Sequence, residues 1–381
     1  MIAEKPTLLI FTVNPVHNAP RVIREIECLR DHFHIVVTGD TKPLDASVAY
    51  LDTSKIKLSQ LEYTLGKIYR IFTLGKVFMG IYPTTQRKID SLLDRVRPDL
   101  VIVHPGAFLP YFFGKKKKFK LVFNAHEFHP KEFEGDLRWK NTWGQIYDSI
   151  YRNYLHKVDL LVNVCEGIAH ECLNVYGKDS LVIPNAGPWR QGLEPNLKTS
   201  GKIRMIHHGV AIRERKLELM IELADRLGTK FELDMMLVYQ DKAYHQKLQK
   251  LAAATKNVRL ISAVSFDRII PFIHQYDVGL FLLPPVNFNY LYALPNKFFE
   301  FVQARLAIAV GPSPEMGRLV EKYRLGIVSD DFTVDSMVEK LTTLSHQQIN
   351  QFKCSSDHAA KVLNAERYQD SMLAEIQKLM N

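Results

Sequence analysis

The chain has 381 residues, 46% of them hydrophobic and 24% charged, with 50 Lys and Arg against 41 Asp and Glu and a formal charge of +9. That length exceeds one small domain and suits two of ordinary size, each able to bury a full core. No run approaches the roughly 18 consecutive apolar residues of a membrane span, and Met1-Ile2-Ala3-Glu4-Lys5 leads into Leu8-Leu9-Ile10-Phe11 without the features of an export signal, so a cytoplasmic protein is expected. Cys28, Cys165, Cys172 and Cys354 have no C-x-x-C spacing, which argues against a zinc ribbon and fits reduced thiols.

In chain order, Leu8–Val13, Ile35–Thr38, Leu100–His104, Leu121–Asn124 and Leu160–Val164 read as buried strands. Between several of them lie amphipathic helices: after Pro20, residues Val22, Ile23, Ile26 and Leu29 share one face. Apolar runs separated by helices imply a parallel sheet covered on both sides. The loop Asn14–Arg21 follows the first strand and precedes the first helix, where α/β domains place ligand-binding turns. It has no glycine and no G-x-G-x-x-G, which argues against a nicotinamide or flavin enzyme.

The positive charge is unevenly spread. Lys115, Lys116, Lys117, Lys118 and Lys120 form a compact run, and the stretch from Lys55 to Arg97 interleaves Lys57, Lys67, Arg70 and Lys76 with Tyr69, Phe72, Phe78 and other large apolar residues. This pattern suits an anionic membrane surface, with a solvated helical pair as the plainer alternative. No nucleic-acid module accompanies the charge, so nucleic acid is not expected as a partner.

Pro184, Gly187, Pro188, Gly192, Pro195 and Gly201 crowd the stretch 183–201, a hinge candidate that sets domains at 1–186 and 187–364. Strands then resume at Arg204–His207, Leu233–Tyr239, Val258–Ser262, Val278–Leu283 and Ala307–Val310, with Leu217, Met220, Ile221, Ala224 and Leu227 as a helical stripe. A last helix, within 365–381, has no strand after it and is free to pack back on the first domain. The fold class expected is α/β, with two Rossmann-like, doubly wound domains facing across a cleft.

The most informative run is Leu294-Pro295-Asn296-Lys297-Phe298-Phe299-Glu300-Phe301-Val302, a strand-to-helix turn with a carboxylate one turn inside the helix. Asn296 is expected to cap the helix, leaving backbone N–H groups and the positive end of the dipole for phosphate. Lys297 adds charge there, and Glu300 can accept from two vicinal ribose hydroxyls. The alternative is an ordinary capped helix with a surface Glu.

Together with Gly311-Pro312-Ser313-Pro314-Glu315-Met316, this segment resembles the donor-nucleotide segment of GT-B-fold glycosyltransferases, most similar to glycosyltransferase family 4. Val164-Cys165-Glu166-Gly167, Tyr176-Gly177, Val182-Ile183-Pro184-Asn185-Ala186 and His207-His208-Gly209 occur in the matching order, with Arg215-Lys216 six and seven positions after Gly209. The resemblance implies a retaining, metal-independent transfer from a nucleotide-diphosphate sugar to a saccharide acceptor. A lipid-linked acceptor for a surface polysaccharide or glycolipid, at the inner face of a membrane, follows from the family and the charge.

By the same resemblance, Gly209, Arg215, Lys216, Asn296, Lys297, Phe298 and Glu300 hold the donor, with Arg215 and Lys216 gripping the diphosphate. His126 matches a histidine near the donor sugar, and Glu127 is an acceptor-side carboxylate. Asn18 and Arg21, in the first loop, are acceptor-side candidates; the alternative for Arg21 is an i,i+4 pair with Glu25. Two positions depart from the family: Val210 replaces an Arg found in some members, and Tyr292 stands eight before Glu300 where a first Glu is common.

Metal sites are not expected. His126 and His129 are three apart, not the four of H-E-x-x-H, and there is no Asp-x-Asp. His104 reads as a satisfied structural histidine. The competing functions are a nucleotide-sugar epimerase of the same fold and a non-catalytic nucleotide-sugar or membrane-binding protein.

Overall fold

A computed structural model describes residues 5–43, 48–54, 56, 82–114 and 118–381. Two compact units are resolved, one of Met1–Pro184, Asn287–Asn289 and Gln369–Asn381, the other of Asn185–Val286 and Tyr290–Tyr368. The last helix, Ala365–Met380, thus contributes its residues from Gln369 onward to the first unit.

In the first unit β1 (Thr7–Phe11), β2 (His34–Gly39), β3 (Ala49–Asp52), β4 (Leu100–Val103), β5 (Lys120–Asn124), β6 (Leu160–Asn163) and β7 (Leu181–Val182) form one sheet in the order β3-β2-β1-β4-β5-β6-β7. Every pairing in it is parallel. Leu8 to Phe11 and Leu100 to Val103 are completely buried, so these strands need both faces covered and read as unbroken apolar runs. The helix Pro20–Leu29 starts with Pro at its first position, where no N–H is needed, and buries Val22, Ile26 and Leu29.

The second unit repeats the arrangement. Its strands β8 (Ile203–Ala211), β9 (Phe231–Tyr239), β10 (Val258–Ile261), β11 (Val278–Phe281), β12 (Ala307–Val310) and β13 (Gly326–Val328) are ordered β10-β9-β8-β11-β12-β13, again parallel. Numbered within each unit, both sheets run 3-2-1-4-5-6, with β7 added at the end of the first, and the direction of winding reverses between the first and fourth strands. Ligands of such sheets bind beyond the carboxyl ends of the strands at that reversal. That is β1 beside β4 in the first unit and β8 beside β11 in the second.

Three strands lie outside the sequence pattern, β3, β7 and β13. They sit at or near sheet edges, are two to four residues long and are largely half-buried, so they lack an apolar run. Strand β8 is longer than expected because it pairs with β9 along its whole length, from Ile203 opposite Phe231 to Ala211 opposite Tyr239. His208 and Gly209, beyond the expected strand end at His207, therefore belong to the strand.

A buried ion cluster ties the helix His346–Ala360 to the second sheet. Lys353, 1% exposed, donates to the carbonyls of Asn196 (2.6 Å) and Tyr276 (3.1 Å) and to Asp277 Oδ1 (3.2 Å). Lys198 donates to the other Asp277 oxygen at 3.1 Å. No helix among the described residues is long and apolar enough to cross a membrane.

Candidate functional site

The helix Asn296–Gln303 is built on aromatic anchors. Phe298, Phe299, Phe301 and Val302 are buried, and Phe301 lies so close to Gly279 of β11 that a Cβ there would stand 2.4 Å from its ring. The bare backbone of β11 thus allows the helix to dock tightly on the sheet, which sets where Lys297 and Glu300 point. Phe298 belongs to this anchor, and its N–H donates to the Pro295 carbonyl at 3.1 Å.

The cap also differs from expectation. Pro295, extended at φ −81° and ψ 162°, is the residue before the helix, and Asn296 is already its first helical residue. Pro has no side-chain acceptor, so the first turn has no side-chain cap.

Lys297 is 6% exposed. Its Nζ lies 3.4 Å from His207 Nε2 and 4.3 Å from the centre of the Phe281 ring, within the cation–π range. Burial, and next the Arg215 guanidinium, push its pKa well below that of an ordinary lysine. An anion beside it would reverse that shift.

Gly209 completes this corner. At φ 129° it holds a conformation side chains rarely adopt, and a Cβ on it would meet Lys297 Nζ at 3.1 Å and Arg215 Nη1 at 3.9 Å. Arg215 is fixed by donating from Nη1 to the Val210 carbonyl at 2.9 Å. Gly209, Arg215 and Lys297, all expected from the sequence, are therefore brought together at the carboxyl end of β8. Lys216 is not among them. It is exposed in a left-handed conformation at φ 48°.

Glu300 is 6% exposed, so it is a buried group and not the surface Glu of the alternative reading. One turn after Lys297, it is carried toward the same strand end, with Oε2 3.3 Å from His208 Nε2. His208 is held neutral, its pKa lowered to about 3 by burial and by Lys297. Tyr292, at the position of the missing carboxylate, is half-buried in the loop before this helix.

In the first unit His126 and Glu127 follow β5 and are both exposed. His126 is kept neutral, its pKa driven down by the protein packed around it and by nearby Arg21 and His104. Glu127 Oε2 lies 3.5 Å from Nδ2 of Asn289, which groups with this unit. His129, half-buried, bonds to the Tyr151 hydroxyl at 2.9 Å, and desolvation lowers its pKa to about 4.

Arg21 is buried rather than presented to an acceptor. It donates to the Ile183 carbonyl and, at 3.5 Å, to that of Ala125, and desolvation lowers its pKa to about 10. It props the turn that carries His126. It does not take Glu25 as a hydrogen-bond partner, because that carboxylate is engaged by Asn124 Nδ2 and by His104 Nε2, the latter at 2.9 Å. The side chain of Asn18 lies outside the described residues, as do Lys115, Lys116, Lys117 and the stretch 57–81.

Sequence reasoning missed Glu25 and the role of His104, whose Nδ1 is 2.8 Å from His126 Nε2. The available signal was an acid on an apolar stripe: Glu25 lies between Val22 and Ile26, on the face that packs inward. Among the described residues, no three His, Cys, Asp or Glu are grouped so as to hold a metal ion.

Residues 23–186 match the family model described as Glycosyltransferase Family 4. No curated protein matches the chain in sequence. Among solved structures, sucrose-phosphate synthase from Thermosynechococcus elongatus is 11% identical, with 99% of each chain covered and a TM-score of 0.74. A glycosyltransferase from Rickettsia africae is 12% identical, with 99% of each chain covered and a TM-score of 0.71. A mutant of S. aureus TarM, in complex with fondaparinux, alpha-GlcNAc-glycerol and UDP, is 14% identical over 78% of this chain, with a TM-score of 0.62. The chain spans about three fifths of TarM, 59% of its length. At these identities the structural likeness establishes the fold, and the resemblance read from the sequence is borne out as a GT-B fold whose residues 23–186 match glycosyltransferase family 4.

Proposed function

We propose that the protein is a glycosyltransferase that binds a nucleotide-diphosphate sugar through its second unit and transfers the sugar to a saccharide acceptor. The observation that carries this reading is the convergence of Lys297 and Arg215 on the bare backbone of Gly209. Departure of a nucleoside diphosphate builds negative charge, which preorganised cations stabilise most where water is excluded. A buried amine held next to a guanidinium is suited to that task, and it fills the role a divalent ion has in metal-dependent transferases. Glu300 reads the ribose, and Asn296 and the uncapped first turn of its helix add backbone donors. His126 and Glu127 serve the sugar and the acceptor.

Retention of configuration, independence of metal and a lipid-linked acceptor in surface polysaccharide or glycolipid synthesis complete the proposal. The cationic run at Lys115–Lys118 supports docking at the inner face of a cell membrane. Neutralising those lysines is expected to reduce binding to anionic liposomes in a salt-sensitive way; unchanged binding moves the contact elsewhere.

A panel of nucleotide sugars tests the central claim. Slow release of nucleotide, tighter binding of one base in a thermal-shift screen, and weakened binding in Glu300→Gln are expected. UDP, the nucleotide bound in the TarM complex, is the first to try. Unchanged affinity in Glu300→Gln removes that residue from the site.

A second reading, a non-catalytic nucleotide-sugar binder, is favoured by Tyr292 and Val210, which stand where the family places charged groups. Binding without turnover of any donor selects it. Interconversion of the free nucleotide sugar selects an epimerase.

A further inference from the structure

Glu25 is completely buried on the inner face of the helix Pro20–Leu29, where a carboxylate requires hydrogen-bond partners. One oxygen accepts from Asn124 Nδ2, and the other lies 2.9 Å from His104 Nε2. His104 Nδ1 in turn lies 2.8 Å from Nε2 of His126, with the two rings at 82°. Each of the two ring contacts needs one proton, and an ionised carboxylate can only accept. A singly protonated His104 must therefore carry its proton on Nε2, which makes its Nδ1 an acceptor. The proton in the next contact then sits on His126 Nε2, and His126 Nδ1 is left bare. His126 is exposed, and among the described residues that nitrogen has no partner.

We propose that Glu25 and His104 are positioning residues that lock His126 in its Nε2–H form and turn its Nδ1 outward as a hydrogen-bond acceptor for a sugar hydroxyl. The sugar part rests on the transferase reading above; the tautomer does not. Which ring nitrogen is bare is set by the bond the other one makes. Burial, and next the nearby Arg21, His104, His129 and Arg24, disfavour a second proton on the ring. A neutral acceptor of this kind selects for a ligand that can donate. A hydroxyl qualifies, whereas a fully ionised phosphate does not. The buried carboxylate at the far end of the chain polarises both rings and strengthens that acceptor.

Nitrogen-15 NMR of histidine-labelled protein, at about pH 7.5, decides the tautomer without any substitution. Expected for His126 is a protonated Nε2 in slow exchange with water and a bare Nδ1; a proton on Nδ1 overturns the proposal. In His104→Phe the slowly exchanging N–H of His126 is expected to disappear, and its persistence has the same overturning force. For the ligand, Glu25→Gln is expected to lower kcat for sugar transfer about tenfold or more, the scale seen when the hydrogen-bond partner that orients a metal-binding histidine is lost. KM for the nucleotide sugar should stay within about twofold, and Glu25→Asp should recover part of the rate. An unchanged kcat overturns the hydroxyl role. A wild type that turns over no nucleotide sugar overturns the transferase reading alone, and the spectrum still decides the tautomer.

Discussion

A side chain on Gly209 would begin 3.1 Å from the Lys297 amine, so the buried lysine sits where it does because the glycine has no Cβ. Gly209→Ala is expected to hurt in two ways. The φ of 129° costs an alanine about 1–3 kcal/mol of stability, and the methyl group displaces Lys297 from where a phosphate would meet it. Thermal unfolding checks the first effect and nucleotide affinity the second. A variant that binds nucleotide as the wild type does removes this corner from the donor site.

Lys297 predicts a proton linkage. Its pKa in the free protein is well below the ordinary value, and a diphosphate beside it raises it again. The complex then holds more protons than its separated parts, so affinity rises as pH falls, until the pH passes below the pKa of the free lysine. Calorimetric titration in two buffers of different ionisation enthalpy is expected to show proton uptake on binding. Lys297→Met should cost about tenfold or more in affinity and abolish the uptake. Proton release, or affinity that rises with pH, contradicts the assignment.

Glu132 predicts a pH dependence of stability. Burial, and next Glu127, raise its pKa from 4.5 to about 7. For an acid raised on folding, the native state holds a proton that the unfolded chain has lost, so stability falls as pH rises from about 4.5 to about 7 and the cost is complete above that. Glu132→Gln removes the cost. Its Tm is expected to exceed that of the wild type above about pH 7, by roughly 2–4 °C for each kcal/mol gained, and to match it below about pH 4.5.

Asp277 predicts a large loss of stability. It is the carboxylate between Lys353 and Lys198, and Asp277→Ala leaves a buried ammonium without its counter-charge. The expected cost is about 3–5 kcal/mol by denaturant unfolding. Lys353→Met, which removes the buried cation instead, should cost less, because Asp277 keeps Lys198 and the Arg204 N–H as partners.

How much was legible in advance varied with the physics of each part. The central strands could be read because they are buried on both faces and must be apolar throughout, as in Leu8 to Phe11 or Ala307 to Val310. Edge strands such as Gly326–Val328 carry no such pattern, since one side meets water. The donor segment was legible as a motif, and Gly209, Arg215 and Lys297 converge. The cap was misread because Asn is a strong capping residue, yet the extended Pro295 before it lets Asn296 enter the helix.

Glu25 illustrates the limit from the other side. Its place on an apolar stripe was visible, but its partners are 79 and 99 residues away, and no local pattern names them. Arg21 looked like a loop residue open to a ligand; only the packing of the Ala125 and Ile183 carbonyls against it shows that it is spent inside the first unit.

The sequence by itself determined the class of fold and the family resemblance, because burial periodicity and a turn motif are properties of short segments. The tertiary structure alone decided which charges lose their water, among them Lys297, Glu300, Arg21, Lys353 and the Glu25–His104 pair. Desolvation depends on everything packed around a group, and that packing is assembled from strands and helices distant in the chain.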